Sequence, residues 1–152
     1  MDTKKIVTAL NKALALEHSA ALQYKQHALL VSGLWRKVFA DFFSSQSKNS
    51  LEHAEKFGQK VVVLGGVPTV EVGTVHQSIE LEEMLRQDLE LEKETLQAYL
   101  EAHTLVEGDV ALRTMLESHI ESEQRDLEEL EMYLGMVKTK GVEREVNLRR
   151  VK

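Results

Sequence analysis

The chain has 152 residues, of which 43% are hydrophobic and 29% are charged, with 19 basic and 25 acidic side chains. This length is typical of one domain with a core of its own, and the absence of cysteine excludes disulfides, thiolate zinc sites and thiolate-held iron–sulfur clusters. No apolar run approaches the roughly 20 residues of a membrane span, so we expect a cytoplasmic protein without membrane partners.

The acidic excess is concentrated in the second half of the chain. Residues 1–77 carry a formal net charge of +3, residues 78–137 of −13 and residues 138–152 of +4. Because an acidic surface repels phosphates, nucleic acid is not an expected partner, whereas metal cations are. We interpret residues 138–152 as a basic C-terminal tail that follows one domain, residues 1–137.

The apolar pattern predicts an all-α protein, since one proline and 8 glycines in the whole chain favour long helices. Apolar residues recur at helical spacing in four segments, about residues 3–32, 35–64, 77–106 and 110–137. Asp109 is expected to cap the fourth helix through its side chain. The short alternating stretch at residues 70–72 is flanked by glycine and is expected to belong to a loop.

The connections between the four helices predict their order in a bundle. The first and third connections are short, so the helices that they join must be antiparallel hairpins. The connection at residues 65–76 could extend over roughly 40 Å, which is enough to travel the length of the bundle. We therefore favour a four-helix bundle with one long crossover between the second and third helices over a plain up-and-down bundle.

Polar side chains interrupt the apolar stripes near the middle of each helix. They are Glu17 in the first helix, Gln46, Ser50 and His53 in the second, Glu92 in the third, and His119, Glu123 and Asp126 in the fourth. An ionised carboxylate is costly to bury unless it is paired or binds a metal, and carboxylates with one or two imidazoles suit Fe(II), Mn(II) or Zn(II). Each of these residues has an ordinary structural explanation when taken singly, but together they predict a metal site in the core.

Four side chains are expected to support that site without binding the metal themselves. Tyr24 and Tyr99 lie on the inward stripes, where their hydroxyls can donate to inward carboxylates. Gln46 and Ser50 precede His53 on the same face of the second helix, and we expect them to support the ligands.

At these residues the sequence resembles the bacterioferritin branch of the ferritin-like superfamily, over about residues 8–137. The matching motifs are Leu10-Asn11-Lys12 with Glu17 and Gln23-Tyr24, then His53-Ala54, Leu64-Gly65-Gly66-Val67-Pro68, and Glu83-Met84-Leu85-Arg86-Gln87-Asp88-Leu89. The resemblance implies a ferritin-like bundle that binds Fe(II) at a di-iron site and oxidises it with oxygen or peroxide, with storage in a multi-subunit shell. By position, Glu17 and Glu92 match the family's single carboxylates, His53 matches its second-helix histidine, and Glu123 matches its fourth-helix bridging glutamate.

The sequence departs from the family's pattern at three positions. Ser50 stands where the family has a second bridging glutamate, and Asp126 stands where it has a second histidine. Leu51 stands where haem-binding members carry methionine, so no haem is expected. His119, one helical turn before Glu123, is the residue that we expect to supply the missing imidazole.

Two functions remain open on the sequence. The first is an iron-binding protein with ferroxidase-like or storage activity, in which Glu17, His53, Glu92, His119, Glu123 and Asp126 hold one or two ions of iron, manganese or zinc. The second is a degenerate structural or regulatory module without a working metal site. A homo-oligomer, a dimer or larger, is expected in either case. A peroxidase of the rubrerythrin type is disfavoured, because the chain has no cysteines for a rubredoxin relay.

Overall fold

The computed structural model describes residues 1–136, which form four helices and the loops between them. The helices are α1 (Thr3–Leu30), α2 (Arg36–Val63), α3 (Leu81–Thr104) and α4 (Val110–Tyr133). The prediction of an all-α bundle is confirmed, although α3 and α4 have only 24 residues each. The predicted tail and the proposed boundary at residue 137 lie outside the described residues.

The ends of the helices follow from local hydrogen bonds and backbone conformation. The Asp2 side chain accepts from the Lys5 amide at 3.2 Å, and Asp109 accepts from the Leu112 amide at 2.9 Å, which satisfies first-turn donors of α1 and α4. Gly65 follows α2 with a φ of 84°, a conformation that glycine adopts without strain. The Asp109 cap is therefore confirmed.

The crossover between α2 and α3 runs along α1 and is longer than the sequence predicted, from residue 64 to residue 80. Asn11 donates to the Val67 carbonyl at 3.0 Å, and further along α1 the Gln23 side chain accepts from the His76 amide at 2.9 Å. The crossover therefore travels from the start of α1 towards its end, as predicted. Gly73 lies against α1, because a Cβ built there would come within 2.8 Å of the Ser19 hydroxyl.

The direction of α3 follows from its contacts with α1. Lys12 near the start of α1 contacts Glu101 near the end of α3 at 2.7 Å, whereas Tyr24 near the end of α1 contacts Glu92 at 2.8 Å. Helices α1 and α3 are therefore antiparallel. Since α1 and α2 form a hairpin, α2 and α3 run parallel, which is the arrangement that the long crossover permits.

The apolar core is divided into two clusters, one towards each end of the bundle. The first cluster includes Leu10, Phe57 and Leu116, and the second includes Phe43 and Leu130. The polar residues of the inward stripes lie between them, so apolar side chains close that level of the bundle at both ends. Within residues 1–136, no helix combines the length with the apolar character that a membrane span requires.

Candidate metal centre

Carboxylates from three helices meet an imidazole from the fourth at the middle of the bundle. Glu17 of α1, Glu92 of α3 and Glu123 of α4 are 1%, 3% and 2% exposed. His53 of α2 and Asp126 of α4 are half-buried beside them. The structure therefore brings five of the six residues predicted as metal ligands to one level of the core.

These five residues form two groups that share Glu123. The first group is Glu17, His53 and Glu123, and the second is Glu92, Glu123 and Asp126; within each group the potential ligand atoms lie within 4.8 Å of one another. In the first group, His53 Nδ1 lies 3.5 Å from Glu17 Oε1 and 3.6 Å from Glu123 Oε1. Each group is compact enough for its atoms to bind one cation.

Two buried polar atoms at the centre lack hydrogen-bond partners, and a bound cation would satisfy them. His53 Nδ1 and Glu123 Oε2 are buried without a hydrogen-bond partner, although buried polar atoms nearly always have one. Among the described residues, no lysine or arginine forms an ion pair with Glu17, Glu92 or Glu123. Hard carboxylate oxygens with one imidazole are suitable donors for Fe(II), Mn(II) or Zn(II), so the residues present fit a metal.

The ionisation of the carboxylates is strongly perturbed. Burial raises the pKa of Glu92 to about 7 and that of Asp126 to about 6. Burial, together with repulsion from Glu92, also raises the pKa of Glu123 well above its ordinary value. Without a cation, Glu92 therefore retains a proton up to about pH 7, and a bound metal would displace it.

The carboxylates around His53 favour its protonated, cationic form. Burial lowers its pKa, but the Glu17 carboxylate 3.5 Å away and the other nearby carboxylates outweigh that effect, so the pKa of His53 is raised overall. When it is protonated, His53 partly neutralises the surrounding carboxylates. A metal on Glu17 and Glu123 would take over this role, because its +2 charge lies among the same oxygen atoms.

Two buried tyrosines orient the carboxylates of α1 and α3. The Tyr24 hydroxyl donates to Glu92 Oε1 at 2.8 Å, and the Tyr99 hydroxyl donates to Glu17 Oε1. Burial and the adjacent carboxylates raise the pKa of both hydroxyls well above 10.0, so both remain protonated donors. Each of these donors fixes one oxygen of its carboxylate.

His119 belongs to neither of the two groups, and its expected role as a ligand stays a prediction. Its Nδ1 bonds to the Met115 carbonyl one turn earlier, at 2.8 Å. Its ring packs against His53 and Phe57, with centroids 4.9 Å away in both cases. Burial lowers the pKa of His119, so the structure places it as a neutral packing neighbour of His53.

Ser50 and Gln46 lie on the face of α2 that carries His53. Ser50 is 5% exposed, whereas Gln46 is half-buried. Their role as supporting residues stays a prediction.

A second buried polar cluster lies one helical turn from Glu92, and the sequence analysis missed it. Asp88 accepts from Gln23 at 2.8 Å and bonds to His27 Nδ1 at 3.1 Å, and all three side chains are fully buried. His27 Nε2 also lies 3.2 Å from the Gln87 amide oxygen. The available signal was the four-residue spacing of Asp88 and Glu92, which puts both on one face of α3. Since its polar groups satisfy one another, this cluster holds α1 and α3 together.

A crossover bundle with carboxylates converging from several helices defines the class of ferritin-like carboxylate proteins. The family model described as ferritin-like domain matches residues 7–139. The chain therefore belongs to the ferritin-like family.

Particular relatives agree with this assignment. The chain is 27% identical over 140 residues to the bacterioferritin of Desulfovibrio desulfuricans, covering 90% of this chain and 78% of that protein. It is 24% identical over 142 residues to the bacterial ferritin of Pseudomonas aeruginosa, covering 91% and 92% respectively. A crystal structure of ferritin-like, diiron-carboxylate proteins from Bacillus anthracis superposes with a TM-score of 0.83 at 33% identity, covering 88% of this chain and 98% of that one.

Proposed function

We propose that this protein binds one or two non-haem metal ions in the middle of its bundle and acts on iron, as a ferroxidase-like or iron-storage protein. The observation that carries the proposal is the set of buried carboxylates around His53 Nδ1 and Glu123 Oε2, two atoms that lack any hydrogen-bond partner. Membership in the ferritin-like family and the likeness to diiron-carboxylate proteins support it.

The residues of the centre have distinct roles in this proposal. Glu17 and His53 bind on one side and Glu92 and Asp126 on the other, while Glu123 faces both. Fe(II), as the substrate, supplies the electrons that reduce oxygen or peroxide. The carboxylates lose their protons when iron enters, and their negative charge favours the Fe(III) product over Fe(II).

The proposal is tested by loading metal-free protein with Fe(II) under nitrogen and then admitting air. We expect bound iron by elemental analysis and, after air, a rise in near-ultraviolet absorbance from Fe(III) bound to carboxylates. Protein loaded with Zn(II) is the control, because zinc has no redox chemistry and should give no absorbance change. The absence of bound iron together with an unchanged spectrum would exclude the proposal.

A degenerate structural or regulatory module is the second candidate. Ser50 and Asp126, which depart from the family's pattern, are the observation that favours it. In that case a chelator would leave the melting temperature of the purified protein unchanged, whereas a protein that has bound metal loses stability when the metal is removed. Our first proposal accepts iron, manganese or zinc as the bound ion. It stays a prediction that the protein is cytoplasmic and that it binds no haem, nucleic acid or membrane.

We further propose a homo-oligomer that forms through the outer face of α1, α2 and the crossover. Leu22, Leu51 and Val70 are 52%, 56% and 92% exposed and line one groove on this face. Association with a second copy of the chain would bury these apolar side chains and so stabilise a homo-oligomer.

The variant Leu51→Glu is expected to lower the mass of the particle, as measured by light scattering after size exclusion, because burying a carboxylate at the interface is costly. Leu34→Glu is the matched control, since Leu34 is 96% exposed and lies in the connection between α1 and α2. An unchanged mass for Leu51→Glu would contradict the proposed face.

A further inference from the structure

We propose that a proton-dependent latch fastens the end of the crossover to the bundle, with a doubly protonated His27 paired to an ionised Asp88. The latch consists of Gln23 and His27 of α1 and Gln87 and Asp88 of α3, and it holds the crossover backbone at residues 76 and 77. These four side chains lie outside the two groups of the metal centre, so the latch does not depend on metal binding.

The crossover fixes the orientation of the Gln87 amide. The amide nitrogen of Gln87 donates to the Gln77 carbonyl at 3.1 Å, and a carbonyl oxygen can only accept. The amide oxygen of Gln87 therefore faces His27 Nε2, 3.2 Å away. A flipped amide would turn oxygen against oxygen at Gln77, so the arrangement requires a proton on His27 Nε2.

The other ring nitrogen of His27 faces a carboxylate. His27 Nδ1 lies 3.0 and 3.1 Å from the two oxygens of Asp88, and both side chains are fully buried. Because an ionised carboxylate only accepts, Nδ1 carries a proton as well, and both nitrogens are donors only in the charged imidazolium. His27 and Asp88 therefore form a buried ion pair, in which removal of one charge leaves the other unpaired.

Gln23 connects the same ion pair to the crossover at a second point. Its amide oxygen accepts from the His76 backbone amide at 2.9 Å, and its amide nitrogen donates to Asp88 at 2.8 Å. Burial raises the pKa of Asp88, whereas the hydrogen bonds from His27 and Gln23 act in the opposite direction. Each member of the ion pair is thus joined to the crossover backbone through one glutamine.

This connection makes the attachment of the crossover depend on the proton of His27. Loss of the Nε2 proton would set the lone pair of the ring against the Gln87 oxygen and remove the positive charge opposite Asp88. Release of the backbone at residues 76 and 77 would let both glutamines reorient and relieve the repulsion. The attached crossover therefore favours protonated His27, and the attachment weakens as the pH rises.

Other groups that face His27 come from the elements packed against it. Tyr24 lies one turn earlier on α1, and burial raises its pKa well above 10.0, so its hydroxyl stays neutral up to pH 9. From α2, the uncharged ring of Phe43 packs against the imidazole with the centroids 5.4 Å apart. On α3, Glu92 lies one turn beyond Asp88.

The crossover adds the exposed imidazole of His76. It lines a surface pocket together with Glu83, Arg86 and Gln87 of α3. Because a histidine can change its charge near neutral pH, the experiment must separate His76 from His27.

The latch is tested by hydrogen exchange of the full chain at pH 6.5 and pH 9, read at single residues by mass spectrometry with electron-transfer fragmentation. Rates are expressed relative to those of an unstructured chain at each pH. We expect protection of the His76 amide to fall about tenfold at pH 9, which corresponds to the loss of one hydrogen bond to a charged group. The Thr69 amide is the internal control, since it donates to Asn11, which is not connected to the ion pair.

Three variants assign the pH dependence to the latch. Gln87→Ala disconnects His27 from the crossover at a half-buried helical position, so we expect weaker protection of residues 76–80 and little remaining dependence on pH. Gln26→Ala is the matched control, because it removes a 2.8 Å bond to the Gln77 side chain that does not involve His27. His76→Gln keeps the backbone amide and removes the exposed imidazole. Both controls should retain the fall in protection between the two pH values.

Solid-state nuclear magnetic resonance of protein with ¹⁵N-labelled histidine tests the protonation state without relying on these variants. We expect both ring nitrogens of His27, assigned by comparison with His27→Gln, to be protonated at pH 6.5. An unprotonated ring nitrogen in His27 at that pH would overturn the proposal. So would equal protection of the His76 amide at both pH values, an equal fall at Thr69, or an unchanged pH dependence in Gln87→Ala.

Discussion

Glu123→Gln is expected to abolish high-affinity metal binding by both groups of ligands at the centre, since the two groups share Glu123. The substitution keeps the shape of the side chain but removes the negative charge that both groups share. Charged carboxylate oxygens supply most of the attraction for a divalent cation in this poorly solvated core, so we expect affinity to fall by about 100-fold or more. Isothermal titration with Mn(II) or anaerobic Fe(II) measures the loss.

The same variant should be more stable than the wild type when both are free of metal at pH 8. The reason is that Glu123→Gln removes a carboxylate that is costly to bury unpaired. By contrast, metal at about 100 times its dissociation constant should stabilise the wild type by about 3 kcal/mol and the variant hardly at all. Glu121→Gln, an exposed glutamate of α4, is the matched control. Undiminished metal affinity in Glu123→Gln would contradict the role of Glu123.

Metal-free protein is expected to lose about 2 kcal/mol of stability between pH 5.5 and pH 8. Burial raises the pKa of Glu92 from 4.5 to about 7, and the pKa of Glu123 and of Asp126 is raised as well. A carboxyl whose pKa is raised by folding contributes stability that is complete below its unfolded pKa and is lost as the pH rises through its folded pKa. For Glu92, the loss therefore falls between about pH 4.5 and pH 7.

The histidines modify this profile in opposite directions. The raised pKa of His53 adds to the loss of stability as the pH rises through it. The lowered pKa of His119 acts against it, because protonating that buried imidazole below its ordinary pKa of 6.5 destabilises the fold. Since several carboxyls act in the same direction, the net effect is a protein that is less stable at the higher pH.

Urea unfolding at pH 5.5 and pH 8, with and without Mn(II), measures this dependence. Metal should reverse the trend, because the cation binds the deprotonated carboxylates and replaces their protons. Glu92→Gln is the informative variant, since it should flatten the metal-free profile, and Glu90→Gln on the exposed face of α3 should not. Metal-free protein whose stability is constant or increases between the two pH values would contradict the account.

Much of the fold was accessible from the sequence because it depends on local patterns. The helical spacing of apolar residues located four helices to within a few residues, and the long second connection predicted the crossover. The start of α3 was wrong by four residues, since residues 77–80 belong to the crossover, where the Ser78 hydroxyl accepts from the Glu80 amide at 3.0 Å. Such a side-chain bond competes with a helical turn but leaves no periodic signal.

The centre was predictable only in part. Spacing along a helix tells which face a side chain occupies, and this was enough to place Glu17, Glu92 and Glu123 at one level. Spacing does not tell how close a side chain comes to its neighbours on other helices, so the ligand role expected of His119, which lies outside both groups, stays a prediction. The buried bond between His27 and Asp88 was missed because it joins residues on two helices, a pairing that one sequence does not reveal.

The most direct test of the central claim is diffraction from crystals grown with Fe(II) under nitrogen, with data collected on both sides of the iron absorption edge. The account predicts an anomalous peak between Glu17, His53 and Glu123, in contact with Oε1 of Glu123. A map without any peak among the buried carboxylates, at an iron concentration that saturates the protein in solution, would contradict it.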